Sequence, residues 1–222
     1  MIDHERRLLF IHIARTGGSS IENLLMGADW GRIDMATKHM SASQARRHYG
    51  EEIWSSYVKF TIVRNPWDRL VSMWATRWWD ADPAACEQGD MIAFTKQLRP
   101  HRNETYQSLH YHDILDEELD YVLRYENLQD NVSEMLRRCG IGGVVLPLTS
   151  VTSRGHYSNY YTPEAADLVG SMFRRDIEQY GYRFEPAGTV APSAWDSAAG
   201  RLRYLQEVAA PERPRSYGSA RG

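Results

Sequence analysis

IHIARTGGSS, from Ile11 to Ser20, and KFTIVRNPWDRLVS, from Lys59 to Ser72, each carry a buried-strand pattern directly into a helical one. The first closes a near-continuous apolar run, Leu8 to Ile13, of the kind expected in a strand covered on both faces. From Ser19 onward, Ile21, Leu24 and Leu25 have the spacing of a short amphipathic helix. Between them lie Arg15, Thr16, Gly17, Gly18, Ser19 and Ser20. The two glycines permit a sharp turn and close approach of a ligand to the backbone, while the first helical N–H groups and the helix dipole favour an anion. Arg15 adds a fixed positive charge, and Thr16, Ser19 and Ser20 add hydroxyl donors. The plainer alternative is a tight turn capped by Ser19 or Ser20. A Walker A loop is excluded, because GxxxxGK[ST] requires Lys directly after the second Gly and this chain has Ser19.

In the second stretch Phe60 to Val63 is again an apolar β-type run, Arg64 ends it, Asn65-Pro66 breaks it, and Pro66 takes the first helical position. Ser72 falls about two turns along that helix, on the side of Asp68. A guanidinium at a strand end and a hydroxyl on the following helix can converge on one phosphate. A surface Arg64 and a solvated Ser72 are the alternative. A nucleotide with phosphates at both its 5′ and 3′ ends needs two such cradles.

The whole-chain pattern supports an α/β fold. Strands at Leu8 to Ile13, Tyr57 to Val63 and Tyr121 to Arg124 alternate with helices at Ser19 to Met26, Ser41 to Tyr49, Pro66 to Trp79, about Asp90 to Leu98, a stretch ending near Cys139, and Pro163 to Gln179. This order implies a parallel sheet covered on both faces, with ligands at the C-terminal strand edge that carries both turns. With 222 residues, 42% hydrophobic and 25% charged, the chain fits one main domain. After Phe184 the composition shifts to Ala, Gly, Pro and Ser, so residues 1–185 read as the domain and 186–222 as an extension. That extension has a helix expected at Ala194 to Val208 and a disordered tail from Pro211. A net charge of -3 argues against a general nucleic-acid or membrane-surface binder. Cys86 and Cys139 lack metal-ligand or CxxC spacing, so reduced thiols are expected. No run of 18 apolar residues or leader pattern occurs, and the expectation is a soluble, cytoplasmic protein without a membrane anchor.

The two turns also resemble known motifs. IHIARTGGSS is similar to the 5′-phosphosulfate loop of sulfotransferases that use 3′-phosphoadenosine 5′-phosphosulfate (PAPS), usually hIPKTGGTS, and TIVRNPWDRLVSMW resembles their 3′-phosphate motif. KHMSASQAR from Lys38, YVLRYENL from Tyr121 and YYTPEAADLVGSMFRRDIEQYGYRF from Tyr160 extend the likeness, which is nearest to the carbohydrate-type branch, sulfotransferase family 2-like. The resemblance implies a three-layer P-loop-like fold with a central parallel sheet flanked by helices. It also implies PAPS as co-substrate, no metal, and a small-molecule or glycan acceptor with no nucleic-acid partner. The donor would be held by Arg15, Thr16, Gly17, Gly18, Ser19, Ser20, Arg64, Ser72 and, from a late loop, Arg154. Arg15 stands where the family has Lys; it keeps the charge but has a different reach and gives up no proton. His39 lies where carbohydrate sulfotransferases place a catalytic His or Glu, and a histidine titrating near neutral pH suits a general base. The alternative is a loop histidine that only caps or packs.

Other polar groups carry bland readings beside the sharp ones. Lys38 reads as a sulfate contact or a solvated lysine, and His12 as a hydrogen-bonded core histidine. His101, Glu104, Gln107, His110 and His112 occupy a loop suited to acceptor contacts or simply to exposure, and the spacing of His110 and His112 is not a zinc pattern. Arg124, Glu126 and Asp176 read as structural. Tyr157, Tyr160 and Tyr161 suit either an adenine or acceptor slot or aromatic packing. Trp67, Val71, Trp74 and Trp78 read as a buried helix face, and Trp79 as the exposed one. Two other function classes stay open, a small-molecule kinase on the same kind of cradle and an inactive nucleotide-binding module. The kinase is disfavoured by the missing lysine and the lack of an identifiable Mg²⁺ carboxylate.

Overall fold

The computed structural model describes residues 1–77, 89–98, 108–147, 149 and 154–188. Four strands form one sheet in the order β1 (Ile2–Asp3), β2 (Leu8–Ile11), β3 (Val58–Val63) and β4 (Tyr121–Arg124). β2, β3 and β4 run parallel, with Phe10 opposite Phe60 and Phe60 opposite Tyr121. The chain therefore leaves β2 and β3 at the same edge of the sheet, where both Arg-bearing turns begin.

The parallel sheet read from the sequence is corrected in one respect, since β1 pairs antiparallel with β2. Asp3 closes the reversal by accepting from the backbone N–H of Arg6 (3.0 Å) and from its guanidinium (2.8 Å). Two residues of strand are too few to leave a periodic signal. Strand β2 also stops at Ile11, two residues short of the apolar run.

Helices flank the sheet: α1 (Gly18–Met26), α2 (Ala42–Tyr49), α3 (Glu51–Ser56), α4 (Pro66–Ala75), α5 (Met91–Gln97), α6 (Tyr111–Ile114), α7 (Leu128–Arg138), α8 (Pro163–Met172) and α9 (Arg174–Tyr180). Their starts follow local chemistry. Ser41 and Gln44 form a reciprocal capping box on α2. Asn65 accepts from the N–H of Trp67 ahead of Pro66, and Thr162 caps α8 ahead of Pro163. The expected helix from Pro66 to Trp79 ends instead at Ala75, where Thr76 turns its N–H and hydroxyl back on the Met73 and Ser72 carbonyls and Arg77 takes φ 49°. The single helix expected from Pro163 to Gln179 breaks at Phe173 (φ −105°, ψ 21°), whose ring is buried at 1% exposure. Leaving helical geometry there seats that ring in the core.

Two apolar clusters hold the fold. The first joins Leu8, Phe10, Phe60 and Ile62 of the sheet to Ile21, Trp54, Val132 and Leu136 of the helices, with Phe10 and Phe60 stacked at 4.9 Å. The second joins Trp67, Leu70 and Val71 of α4 to Phe94, Val169 and Phe173. Trp67 and Val71 thus line a buried helix face as the spacing implied, with Trp74 partly buried on Tyr160, ring centroids 5.1 Å apart. Trp78, Trp79, Cys86, His101, Glu104, Gln107 and most of the 186–222 extension lie outside the described residues. Cys139 is a free thiol. No described helix is long and apolar enough to cross a membrane.

Candidate functional site

The Arg15–Ser20 loop is shaped from behind. Gly17 adopts φ 91°, open to glycine at little cost, and caps α1 without any side-chain hydrogen bond, its carbonyl accepting from the Ser20 N–H at 3.0 Å. A Cβ on Gly18 would lie 2.2 Å from the His12 ring, so only glycine fits against that imidazole. Thr16 is fully buried and turns its hydroxyl onto the Ile13 carbonyl at 2.8 Å, which makes it a brace for the turn. Ser20 meets the Thr149 hydroxyl at 3.1 Å, bringing the late segment onto this corner. The Ser19 carbonyl accepts from the Asn23 amide at 2.8 Å.

Arg15 joins the two turns. Its backbone has φ 66°, an uncommon conformation for a side-chain-bearing residue. Its Nε donates to Ser72 Oγ on α4 at 3.1 Å, and its carbonyl accepts from Arg64 Nη1 at 3.1 Å. Arg64 in turn lies over the Tyr125 ring at 3.8 Å and holds Asp68 through Nε and Nη2, each at 2.6 Å. Arg154 pairs with the other oxygen of the same carboxylate. The loop, the second turn and the late segment thus bring Arg15, Arg64, Ser72 and Arg154 to one place.

Charge is unevenly balanced there. Among the described residues no carboxylate pairs with Arg15, while burial and the neighbouring charges of Arg64 and Arg154 push its pKa down to about 10. Asp68 is held below the usual carboxylate range, its burial outweighed by Arg64 and Arg154. A further anion would relieve this cluster. An anionic ligand such as a phosphate ester fits the donor set on that ground.

Behind the loop the balance is the reverse. Glu22, fully buried, accepts from His12 Nδ1 (2.5 Å), the Trp30 N–H (3.0 Å) and Lys38 Nζ (3.0 Å), and Lys38 also reaches Asp29 at 2.7 Å. Although burial alone would raise it, these partners hold the Glu22 carboxyl down at about 2. Lys38 is therefore corrected from a solvated or sulfate-facing lysine to a buried ion-pair member, because two carboxylates claim its ammonium.

His39 sits against this assembly, its Nδ1 3.1 Å from the His12 carbonyl and its ring 4.7 Å from the His12 ring. A carbonyl accepts only, so Nδ1 bears the proton and Nε2 the lone pair. Burial first, and His12 second, push its pKa down to about 3. The near-neutral titration expected from the sequence is thereby corrected; the imidazole is neutral at ordinary pH.

Other residues singled out in the sequence serve packing. Tyr157 OH accepts from the Glu185 N–H at 2.7 Å, and Tyr161 donates to the Trp67 carbonyl at 2.9 Å. Arg124 bonds the Tyr180 carbonyl, and Glu126 accepts from the Asn65 N–H at 2.6 Å. His110 and His112 are not an exposed loop pair; they lie at the start of α6, facing buried Asp176. Sequence reasoning missed Arg69, which is 2% exposed and ties the Ala14 carbonyl (3.0 Å) to that of Leu109 (2.7 Å). It also missed Tyr111, whose hydroxyl accepts from the Arg64 N–H (3.2 Å) and donates to the Arg64 carbonyl (2.6 Å). The buried-face spacing of α4 offered a hint for Arg69; nothing local marked Tyr111.

Comparison with curated proteins and with solved structures gives no match. A family model described as "Sulfotransferase family" matches residues 1–183, a span containing both turns, His39 and Arg154. By that match over most of its length, the chain belongs to the sulfotransferase family.

Proposed function

We propose that this sulfotransferase, on a P-loop-like framework, moves a sulfuryl group from PAPS to an acceptor hydroxyl, with a carbohydrate or glycosylated small molecule as the preferred acceptor class. The observation that carries the reading is the hydrogen-bonded joint between the two turns, Arg15 Nε to Ser72 Oγ and Arg64 Nη1 to the Arg15 carbonyl, where among the described residues Arg15, Arg64 and Arg154 gather about Asp68. It supports one ligand with anionic groups at two ends.

The 5′ side of the donor would be held by Arg15, the Gly17, Gly18 and Ser19 backbone and Ser20. The 3′-phosphate would be held by Arg64, Ser72 and Arg154. Bound PAPS supplies the activated sulfuryl group. For transfer, the acceptor oxygen forms a bond to sulfur as the bond from sulfur to the bridging phosphate oxygen breaks, and the protein's task is positioning and charge stabilisation. Arg15 stays cationic even with its lowered pKa and so stabilises negative charge on the leaving phosphate. His39, neutral with its lone pair on Nε2, is in the protonation state required to take the acceptor's hydroxyl proton.

Calorimetry with 3′-phosphoadenosine 5′-phosphate against ATP·Mg²⁺, followed by mass spectrometry of sugar acceptors incubated with PAPS, tests the proposal. Binding of the 3′-phosphorylated nucleotide alone and an added sulfuryl group on an acceptor are expected. Preference for ATP·Mg²⁺ would replace the reading with phosphoryl transfer.

A further inference from the structure

We infer that His110, His112 and Asp176 form a binding site for a divalent transition-metal ion, zinc foremost. Ligand atoms of the three residues lie within 4.8 Å of one another. His112 Nδ1 is 2.8 Å from Asp176 Oδ1, and His110 Nδ1 is 3.7 Å from Asp176 Oδ2. Donors on a tetrahedral zinc ion stand about 3.3 Å apart, given bonds of roughly 2.0–2.1 Å, so these separations bracket what an ion requires.

Three details favour an ion over a plain hydrogen-bonded cap. His110 Nδ1 is buried and has no hydrogen-bond partner among the described residues, and at 3.7 Å the Asp176 carboxylate is beyond hydrogen-bond reach. The Asp113 carboxylate lies 3.4 Å from His112 Nε2, on the opposite side of that ring. Without an ion His112 Nδ1 donates to Asp176 Oδ1 at 2.8 Å; a carboxylate behind the imidazole holds the proton on Nε2 once an ion takes the place of the Nδ1 proton. Asp176 is itself oriented by the backbone N–H groups of Tyr111 (2.9 Å, to Oδ2) and His112 (3.1 Å, to Oδ1), and Oδ2, on the side of His110, retains a lone pair.

Access and selectivity are also provided. The side chains of His110 and His112 are 27% and 20% exposed while Asp176 is fully buried, which leaves an entry route past the two rings. Two imidazoles and one carboxylate are a borderline donor set that suits zinc over calcium or magnesium, with the fourth position left to water. The ion would clip α6 to α9. Tyr111, between the two histidines, exchanges hydrogen bonds with the Arg64 backbone, so the clip braces the second turn without entering the reaction.

The full chain, stripped with a chelator and dialysed, is titrated with zinc chloride against a chromogenic chelator, and Co²⁺ is used as a spectroscopic probe. Wild type takes up one equivalent of zinc, its melting temperature rises, and Co²⁺ gives the visible bands of four- or five-coordination. His110→Ala, which removes the unpartnered ring, melts with wild type in chelator, yet binds zinc at least about tenfold more weakly and loses the rise. Equal zinc uptake by wild type and the His110→Ala/His112→Ala variant overturns the site and leaves Asp176 as a helix cap. If the double variant does not fold, wild type decides alone. Less than one equivalent of zinc, or Co²⁺ without visible bands, refutes the inference.

Discussion

Two buried charge clusters meet at the Arg15–Ser20 loop and are balanced in opposite ways. Behind the loop, Glu22 is matched by His12, Lys38 and a backbone N–H, with Asp29 closing the set. In front, Arg15 is bonded to a hydroxyl while Arg64 and Arg154 share Asp68. Burial is common to both, so burial of charge does not mark a site. Imbalance among the described residues supports the proposed site: a closed set stabilises the chain it belongs to, whereas a cluster rich in one sign suits a ligand of the other.

Substitutions on the two sides should separate accordingly. The largest effect is expected at their junction, where His39→Ala lowers turnover about 100- to 10,000-fold with donor affinity unchanged, measured by sulfate transfer and calorimetry. Undiminished turnover removes His39 from the reaction. Glu22→Ala, in the closed cluster, costs about 3–5 kcal/mol of folding free energy by urea unfolding, because Lys38 and His12 lose a buried partner. Arg64→Ala, in the open cluster, weakens binding of 3′-phosphoadenosine 5′-phosphate about 10- to 100-fold, corresponding to roughly 1.5–3 kcal/mol of charge-assisted hydrogen bonding. Arg15→Gly changes folding stability by no more than about 1 kcal/mol, since relief of its positive φ offsets the lost bond to Ser72, while the nucleotide binds about tenfold more weakly. A large loss of stability there would erase the distinction between the clusters.

Acidity sharpens the comparison further. The Glu22 carboxyl, held at about 2 against an ordinary 4.5, is protonated first in the unfolded chain, so its contribution to stability is complete above about pH 4.5 and is lost as pH falls toward 2. His39, pushed from 6.5 to about 3, leaves the acid limb of kcat/KM without an inflection near 6.5. An inflection there that disappears in His39→Ala would show that the ring titrates as an ordinary imidazole and would overturn its enclosure.

The strand-turn-helix corners were legible because they are local. Apolar runs, a glycine pair and an Asn-Pro break lie within a few residues of one another, and the parallel pairing of β2 with β3 then brings the corners together. Partnership was not legible. Asp68 stands one helical turn from Arg64 but 86 residues from Arg154, and Asp176 meets His112 across 64 residues. The low pKa of His39 depends on enclosure by a ring and chain that spacing does not encode. The break at Phe173 follows from where its ring is seated, while the pattern before and after it is equally helical.

The His12 ring pressed against Gly18 has an evolutionary corollary. A glycine at a strand-to-helix turn is usually read as making room for a ligand, yet here the vacancy is filled from the protein's interior. Positions 12 and 18 should therefore vary together: a descendant with alanine at 18 would carry a smaller residue at 12, and with it a rebuilt partner for Glu22.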